Sequence, residues 1–99
     1  MEEKILFNHE LSDITNLNEE LVIEYMEAIL NANPKVCRCS VCVEDMYALS
    51  LNRLKPLYVQ SNFREKAIGN PEFEKRIDRA HVEQVVRAAI GKVSKDPYH

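Results

Sequence analysis

The hydrophobic and polar positions of the chain follow a helical period in three segments. In the first segment, over residues 17–32, apolar side chains cover more than half of the circumference that remains beside one narrow polar stripe, which consists of Glu20, Glu24, Glu27 and Asn31. Thr15 or Asn16 offers an N-cap side chain before this segment, and Pro34 cannot continue a helix after it. The pattern therefore predicts a first helix over residues 17–32.

A second helical segment follows a short connector. It is predicted to begin near Val41 or Cys42 and to end at Leu54, because Pro56 forbids continuation and biases Lys55 toward an extended backbone. Its apolar arc is wider than one neighbouring helix can cover, and its members are Cys42, Val43, Met46, Tyr47, Leu49, Leu51 and Leu54.

A third helix is predicted in the last part of the chain. Asn70 is a good N-cap and Pro71 a favoured first helical residue, and the helix is expected to run to about Ile90 and close near Gly91. Its predicted inward face consists of Phe73, Ile77, Ala80, Val85 and Ala88, widened by Val82, Val86, Ala89 and Ile90.

These elements predict an all-α fold, a small helical domain of three main helices plus a short N-terminal helical segment. Residues 1–99 are expected to form a single domain, in which residues 1–14 are an N-terminal arm and residues 92–99 a flexible tail. Each main helix is apolar over more than the usual stripe of about 100°. Because one core of this size cannot cover so much apolar surface, we predict a homodimer with two-fold symmetry.

Composition narrows the classes of protein to consider. The chain has 99 residues, two glycines, no tryptophan and a net charge of −3. Its longest apolar runs are far shorter than the roughly 20 residues that cross a bilayer, and its N-terminus is acidic where a signal peptide would be basic. We therefore expect a cytoplasmic protein with no membrane association.

Charge is unevenly distributed along the chain. Residues 1–33 sum to −7, from one basic and eight acidic side chains, whereas residues 34–66 sum to +3, from six and three. The basic side chains of this middle segment either form a patch for a phosphate-bearing ligand or belong to a solvated loop surface. They are Lys35, Arg38, Arg53, Lys55, Arg64 and Lys66.

The three cysteines lie within six residues, as Cys37, Cys39 and Cys42, between the proline that ends the first helix and the start of the second. An odd number of cysteines this close together does not form a set of intrachain disulfides. Thiolates two and three residues apart can reach one tetrahedral zinc ion. The alternative is that they pack as small apolar side chains. We predict that they hold one structural zinc ion that staples the fold.

Three thiolates leave one corner of the zinc tetrahedron open. A water molecule, a ligand group or a residue of the partner chain could fill it, and so could His9, His81, His99 or Asp45. His81 also fits the pattern of a hydrogen-bonded core residue, and Asp45 that of a carboxylate that complements the helix dipole. The sequence leaves the fourth ligand open.

A longer motif begins at the cysteines. It resembles the signature of the ComFB family, small bacterial proteins first linked to competence operons, on Cys37, Cys39, Cys42, Asp45, Ala48, Leu49, Leu51, Asn52, Leu54, Pro56, Tyr58 and Val59. Asn18 and Leu21, in the glutamate-rich first helix, also resemble the family. The resemblance implies an all-helical homodimer with zinc at the cysteines and no known catalytic activity. Some relatives are receptors for cyclic dinucleotides.

Four residues are predicted to bind a ligand on physical grounds. Arg53 lies inside the apolar arc of the second helix, so its guanidinium either reaches outward to solvent or pairs with a carboxylate or phosphate. Tyr58 offers a ring for base stacking and could equally be a buried anchor. Lys35 and Arg38 flank the cysteines with positive charge.

The sequence predicts a non-enzymatic, zinc-containing regulatory or signalling module of the late-competence type. The resemblance to the ComFB family implies that its ligand would be c-di-GMP or c-di-AMP and that it would act on competence, pilus or motility control. The alternative is an adaptor that binds a protein or a nucleic acid, with a purely structural zinc ion and no nucleotide ligand. The net charge argues against nucleic acid. No histidine or acid stands at the spacing of a nucleophile and base pair, so we assign no catalytic residue.

Overall fold

The computed structural model describes residues 5–11, 13–60, 71 and 75–96. These residues contain three helices, α1 (Leu17–Ala32), α2 (Ser40–Asn52) and α3 (Arg79–Lys95). They also contain four short strands, β1 (Ile5–Leu6), β2 (His9–Glu10), β3 (Ile14–Asn16) and β4 (Tyr58–Gln60). Within this part of the chain, no helix has the length and hydropathy that crossing a membrane requires.

The all-α prediction was wrong, because the chain also forms two small antiparallel sheets. β1 pairs with β2, and β3 pairs with β4 so that Thr15 lies opposite Val59. Strands of two or three residues are shorter than the run of about four to eight over which an alternating pattern can be recognised. The homodimeric part of that fold prediction has no support in the single chain and stays a prediction.

The N-terminal segment, predicted to be helical, contains a hairpin between β1 and β2. Its two turn residues, Phe7 and Asn8, have φ values of 50° and 66°, which is the left-handed region. Turns of this kind usually contain Asn-Gly or Asp-Gly, so the Phe-Asn pair gave no sequence signal for a hairpin. Phe7 exposes 84% of its surface at the tip.

The bend between α2 and β4 is hydrogen-bonded to the start of α1. The Asn18 side chain donates from Nδ2 to the Lys55 carbonyl at 2.6 Å. The Leu57 amide donates to Oδ1 of Asn16 at 2.9 Å, and the same oxygen accepts from the Asn18 amide at 3.1 Å as the N-cap of α1. The side chains of Asn16 and Asn18 therefore hold the bend after α2 against the beginning of α1.

We expect replacement of Asn18 by alanine to lower the free energy of unfolding by about 1–3 kcal/mol, because the Lys55 carbonyl would lose its donor in a partly buried place. Asn52→Ala, on the exposed end of α2, is the matched control and should stay within about 0.5 kcal/mol. Urea unfolding measures both. Equal losses in the two variants would contradict the assigned role of Asn18.

α3 begins later than the sequence pattern predicts. Its N-cap is Asp78, whose Oδ1 accepts from the His81 amide at 3.0 Å, so the helix starts at Arg79. Pro71 is helical, but residues 75–78 are not helical, and α3 begins only after them. The prediction of one helix from Pro71 was therefore wrong, and Asn70 lies outside the described residues.

α3 also ends later than predicted, at Lys95, because it continues through Gly91. A glycine inside a helix costs only about 1 kcal/mol relative to alanine. Val93, beyond the glycine, is only 3% exposed, and burial of its side chain offsets that cost. The helix therefore includes four of the residues predicted to be tail, and residues 97–99 lie outside the described part of the chain.

The core lies where the three helices meet, and α3 packs against both α1 and α2. Met46 of α2 is the largest of the fully buried side chains among the described residues. Ala80 and Ala88, predicted to face inward on α3, are exposed. The buried residues of α3 are the four that were predicted to widen this face, together with Val93, and they are Val82, Val86, Ala89, Ile90 and Val93. Ile77 and Val85 are partly buried against the core, and Phe73 lies outside the described residues.

Candidate functional site

The three cysteine thiols form one compact cluster. Cys37 and Cys39 lie on the connector between α1 and α2 and are exposed, whereas Cys42 in the first turn of α2 is only 2% exposed. The three sulfur atoms lie within 4.8 Å of one another, and none is in a disulfide. Two sulfurs bound to one tetrahedral zinc ion at about 2.3 Å stand roughly 3.8 Å apart. The cluster therefore fits a single metal ion.

Local structure around Cys39 brings the thiols together. Cys39 is the N-cap of α2, and its Sγ accepts from the Cys42 amide at 3.5 Å, in the place where serine or aspartate usually stands. The first turn of the helix then returns Cys42 to the same side as Cys39. The cap of α2 and the candidate metal site thus share Cys39 and Cys42.

Burial raises the pKa of the Cys42 thiol to about 12, and hydrogen bonds with Cys39 and Cys37 contribute in the same direction. Without a metal this thiol is protonated at neutral pH. A metal ion binds the thiolate and has to displace that proton. Metal affinity should therefore fall as the pH falls.

No histidine or carboxylate of the described residues joins the three sulfurs. His9 lies on β2, in the N-terminal hairpin. His81 lies in the first turn of α3, whereas Val93 at the other end of that helix is the residue that lines the cleft beside the cysteines. The helix rises about 18 Å over these 12 residues, so His81 cannot complete the site in its own chain.

Two further residues were candidates for the fourth ligand. Asp45 lies in the described part of the chain and is not part of the cysteine cluster, while His99 lies outside the described residues. A water molecule, a ligand group or a residue of a second chain could still fill the fourth corner. The exposure of Cys37 and Cys39 leaves the cluster accessible to any of these.

The two basic residues predicted near the cysteines have different surroundings. Lys35 lines a cleft of about 250 Å³ together with Cys37 and Cys42. Arg38 donates from Nη2 to the Leu30 carbonyl at 2.6 Å. Leu30 lies in the last turn of α1, and its carbonyl also accepts from the Asn33 amide at 3.1 Å, so Arg38 is a second donor to this carbonyl. Arg38 therefore connects the candidate metal site to α1.

A second cavity, the basic cavity, lies between the start of α1, the end of α2 and the start of α3, and has a volume of about 500 Å³. Arg53 is the predicted ligand residue that lines it. Lys55, a member of the predicted basic patch, also lines it. The sequence analysis did not identify Arg76, and it considered His81 only as a zinc ligand or a core residue. The lining residues are Asn18, Arg53, Leu54, Lys55, Pro56, Leu57, Arg76, Ile77, Asp78, His81 and Val82.

Tyr58 is on β4 and is 63% exposed, next to Leu57 of the basic cavity but not among the described residues that line it. The four predicted ligand residues therefore do not share one cavity, since Arg53 lies in the basic cavity and Lys35 beside the cysteines. Their roles in ligand binding stay predictions. Residues 64 and 66 lie outside the described part of the chain.

Comparisons with known proteins identify relatives over most of the chain. The sequence model of the family "Late competence development protein ComFB" matches residues 15–97. Competence protein ComFB of Bacillus subtilis strain 168 is 26% identical over 84 residues, which are 85% of this chain and 85% of that protein. The solved structure of the late competence protein ComFB from Bacillus subtilis is similar with a TM-score of 0.66, at 26% identity, over 85% of this chain and 91% of that one.

Proposed function

The chain belongs to the ComFB family of late competence development proteins, and from this premise we propose that it is a non-enzymatic regulatory module with a structural zinc ion and a cyclic dinucleotide ligand. The observation that carries the proposal is the cluster of three cysteine sulfurs within 4.8 Å of one another. Donor sets rich in thiolate suit zinc, and short cysteine knuckles are typical of its structural sites.

In this proposal the zinc ion and the cyclic dinucleotide have separate roles. The zinc ion would hold the connector against the first turn of α2, through Cys37, Cys39 and Cys42. The cyclic dinucleotide, c-di-GMP or c-di-AMP, would change how the domain associates with its partners in competence, pilus or motility control. The positive charge that faces the basic cavity supports an anionic ligand.

Calorimetric titration tests directly whether the protein binds a cyclic dinucleotide. We expect zinc-loaded protein to give a saturable heat at micromolar concentration with c-di-GMP or c-di-AMP, and a much weaker one with the corresponding linear dinucleotide as the matched control. Absence of heat from both cyclic dinucleotides at high micromolar concentration would contradict the receptor function and favour the adaptor alternative.

Recovery of the nucleotide after the titration tests the absence of catalysis. We expect chromatography to return the cyclic dinucleotide unchanged after prolonged incubation with stoichiometric protein. Conversion to a linear dinucleotide or to mononucleotides, beyond that in a protein-free sample, would show an enzyme.

A gel-shift experiment tests the alternative that the protein is a nucleic-acid-binding adaptor. At low salt, where contacts to phosphates are strongest, we expect no complex with nucleic acid.

A further inference from the structure

The basic cavity collects positive charge from two parts of the chain that are distant in sequence. Arg53 and Lys55 come from the end of α2 and the bend after it, and Arg76 comes from the segment that leads into α3. Asp78 is the carboxylate among the described lining residues, and its Oδ1 accepts from the His81 amide at 3.0 Å as the cap of α3. Among the described lining residues, three cationic side chains therefore outnumber one carboxylate, and such an excess of positive charge favours an anion.

The cavity also has apolar lining residues. Leu54 and Val82 are buried, with 8% and 4% exposed, while Leu57 and Ile77 are half-buried and Pro56 is exposed. A volume of about 500 Å³ lies within the range of roughly 300–1,000 Å³ that is usual for small-molecule sites. The cavity therefore suits a ligand that has both an anionic group and an apolar group.

The backbone around the cavity is held in place before any ligand arrives. The Asn18 side chain donates to the Lys55 carbonyl at 2.6 Å, and the Leu57 amide donates to the Asn16 side chain at 2.9 Å. These bonds fix the bend that carries Lys55 and Leu57. A ligand that binds here does not have to order the backbone of this bend, and the ordering cost is confined to side chains such as that of Arg53.

We propose that the basic cavity binds the phosphate of a nucleotide, with the guanidinium groups of Arg53 and Arg76 as its phosphate contacts and the apolar residues as the surface for the base. Guanidinium groups suit this task because they donate two parallel hydrogen bonds to phosphate oxygens. The inference rests on the proposed receptor function for the nucleotide class. It assigns the phosphate contacts to this cavity rather than to Lys35 and Arg38 beside the cysteines.

Pyrophosphate is the first probe, because it tests the phosphate contacts without a base. We expect NMR spectra of ¹⁵N-labelled, zinc-loaded full-length protein to show saturable shifts at the amides of residues 53–57 and 76–82. Arg53→Gln and Arg76→Gln should each weaken binding about tenfold, the loss of one charge-assisted contact. Arg53→Lys, which keeps the charge, should lose less than Arg53→Gln.

Two control variants remove the same charge elsewhere. Arg87→Gln lies on the exposed face of α3, where Arg87 pairs with Glu83 at 3.6 Å, and should change pyrophosphate affinity less than twofold. Lys35→Gln removes the charge beside the cysteines and should likewise change pyrophosphate affinity less than twofold. Circular dichroism and thermal unfolding verify that each variant is folded. No saturable shift, equal weakening by Arg87→Gln, or weakening by Lys35→Gln alone would overturn the inference.

Titration with c-di-GMP and c-di-AMP separates this inference from the receptor function. Binding to the wild type that Arg53→Gln and Arg76→Gln weaken about tenfold supports both. Binding that these two variants leave unchanged overturns the cavity as the site while the receptor function stands. Pyrophosphate shifts at the cavity without binding of either cyclic dinucleotide support the phosphate site and contradict the receptor function.

Discussion

Removal of the metal is expected to lower the free energy of unfolding by about 3 kcal/mol, which corresponds to a fall of roughly 10–20 °C in the melting temperature of a domain of this size. The cluster lies beside a cleft that Met46 and Val93 also line, so a zinc ion bound there would fix the connector where α2 and α3 meet. The loss is smaller than the whole zinc-binding free energy. All three cysteines lie within six residues, and the unfolded chain can therefore still bind zinc through them.

Thermal unfolding with and without a strong chelator measures this effect. The matched control is a variant in which Cys37, Cys39 and Cys42 are all replaced by serine, which should unfold at the same temperature with and without chelator. A wild-type melting temperature that the chelator leaves unchanged would contradict a stabilising metal. An equal chelator effect on the triple variant would place the metal elsewhere.

Replacement of Met46 by alanine is the substitution with the largest expected effect on stability, about 3–4 kcal/mol. Met46 is 0% exposed and packs in the core formed by all three helices, so truncation removes buried surface and leaves a cavity. That loss is a large part of the roughly 5–15 kcal/mol by which small domains are stable. α2 would then hold the buried Cys42 less firmly.

Urea unfolding of Met46→Ala and Met46→Leu provides the comparison. Leucine keeps most of the side-chain volume, and Met46→Leu should cost less than about 1.5 kcal/mol. Val41→Ala, at a position of the same helix that is 47% exposed, should cost little. Similar losses in Met46→Ala and Val41→Ala would show that α2 does not pack in the way described.

The elements that local chemistry determines were predictable from the sequence. α1 runs over the predicted residues because the Asn16 cap precedes it and Pro34 follows it. α2 ends within two residues of the prediction for the same reason, since Pro56 prevents its continuation. The cysteines could be identified because three potential ligands within six residues are informative without any knowledge of the fold.

The remaining features depend on contacts between distant parts of the chain. Thr15 and Val59 pair across β3 and β4, which are distant in sequence, beside the bend after α2 that is hydrogen-bonded to the start of α1. The start of α3 was misplaced because Asn70 and Pro71 form a good local signal, while Asp78 is the cap of the helix that packs in the core.

The basic cavity shows the same limit of sequence reasoning. The sequence identified Arg53 as a residue that could bind phosphate, but Arg76 reaches the same cavity only through the packing of α3 against α2. Asp78 was the available signal for the start of α3, because aspartate is a favoured N-cap residue. Its side chain accepts from the amide of His81, three residues later. That cap would have placed Arg76 just before the first turn of a helix.

X-ray absorption at the zinc edge of the purified protein tests the thiolate centre most directly. We predict about one zinc ion per chain with three sulfur neighbours at about 2.3 Å, the thiolates of Cys37, Cys39 and Cys42, and one nitrogen or oxygen neighbour at about 2.0–2.2 Å. Protein that carries no stoichiometric zinc after purification without chelator, or zinc surrounded by nitrogen and oxygen alone, would contradict this account.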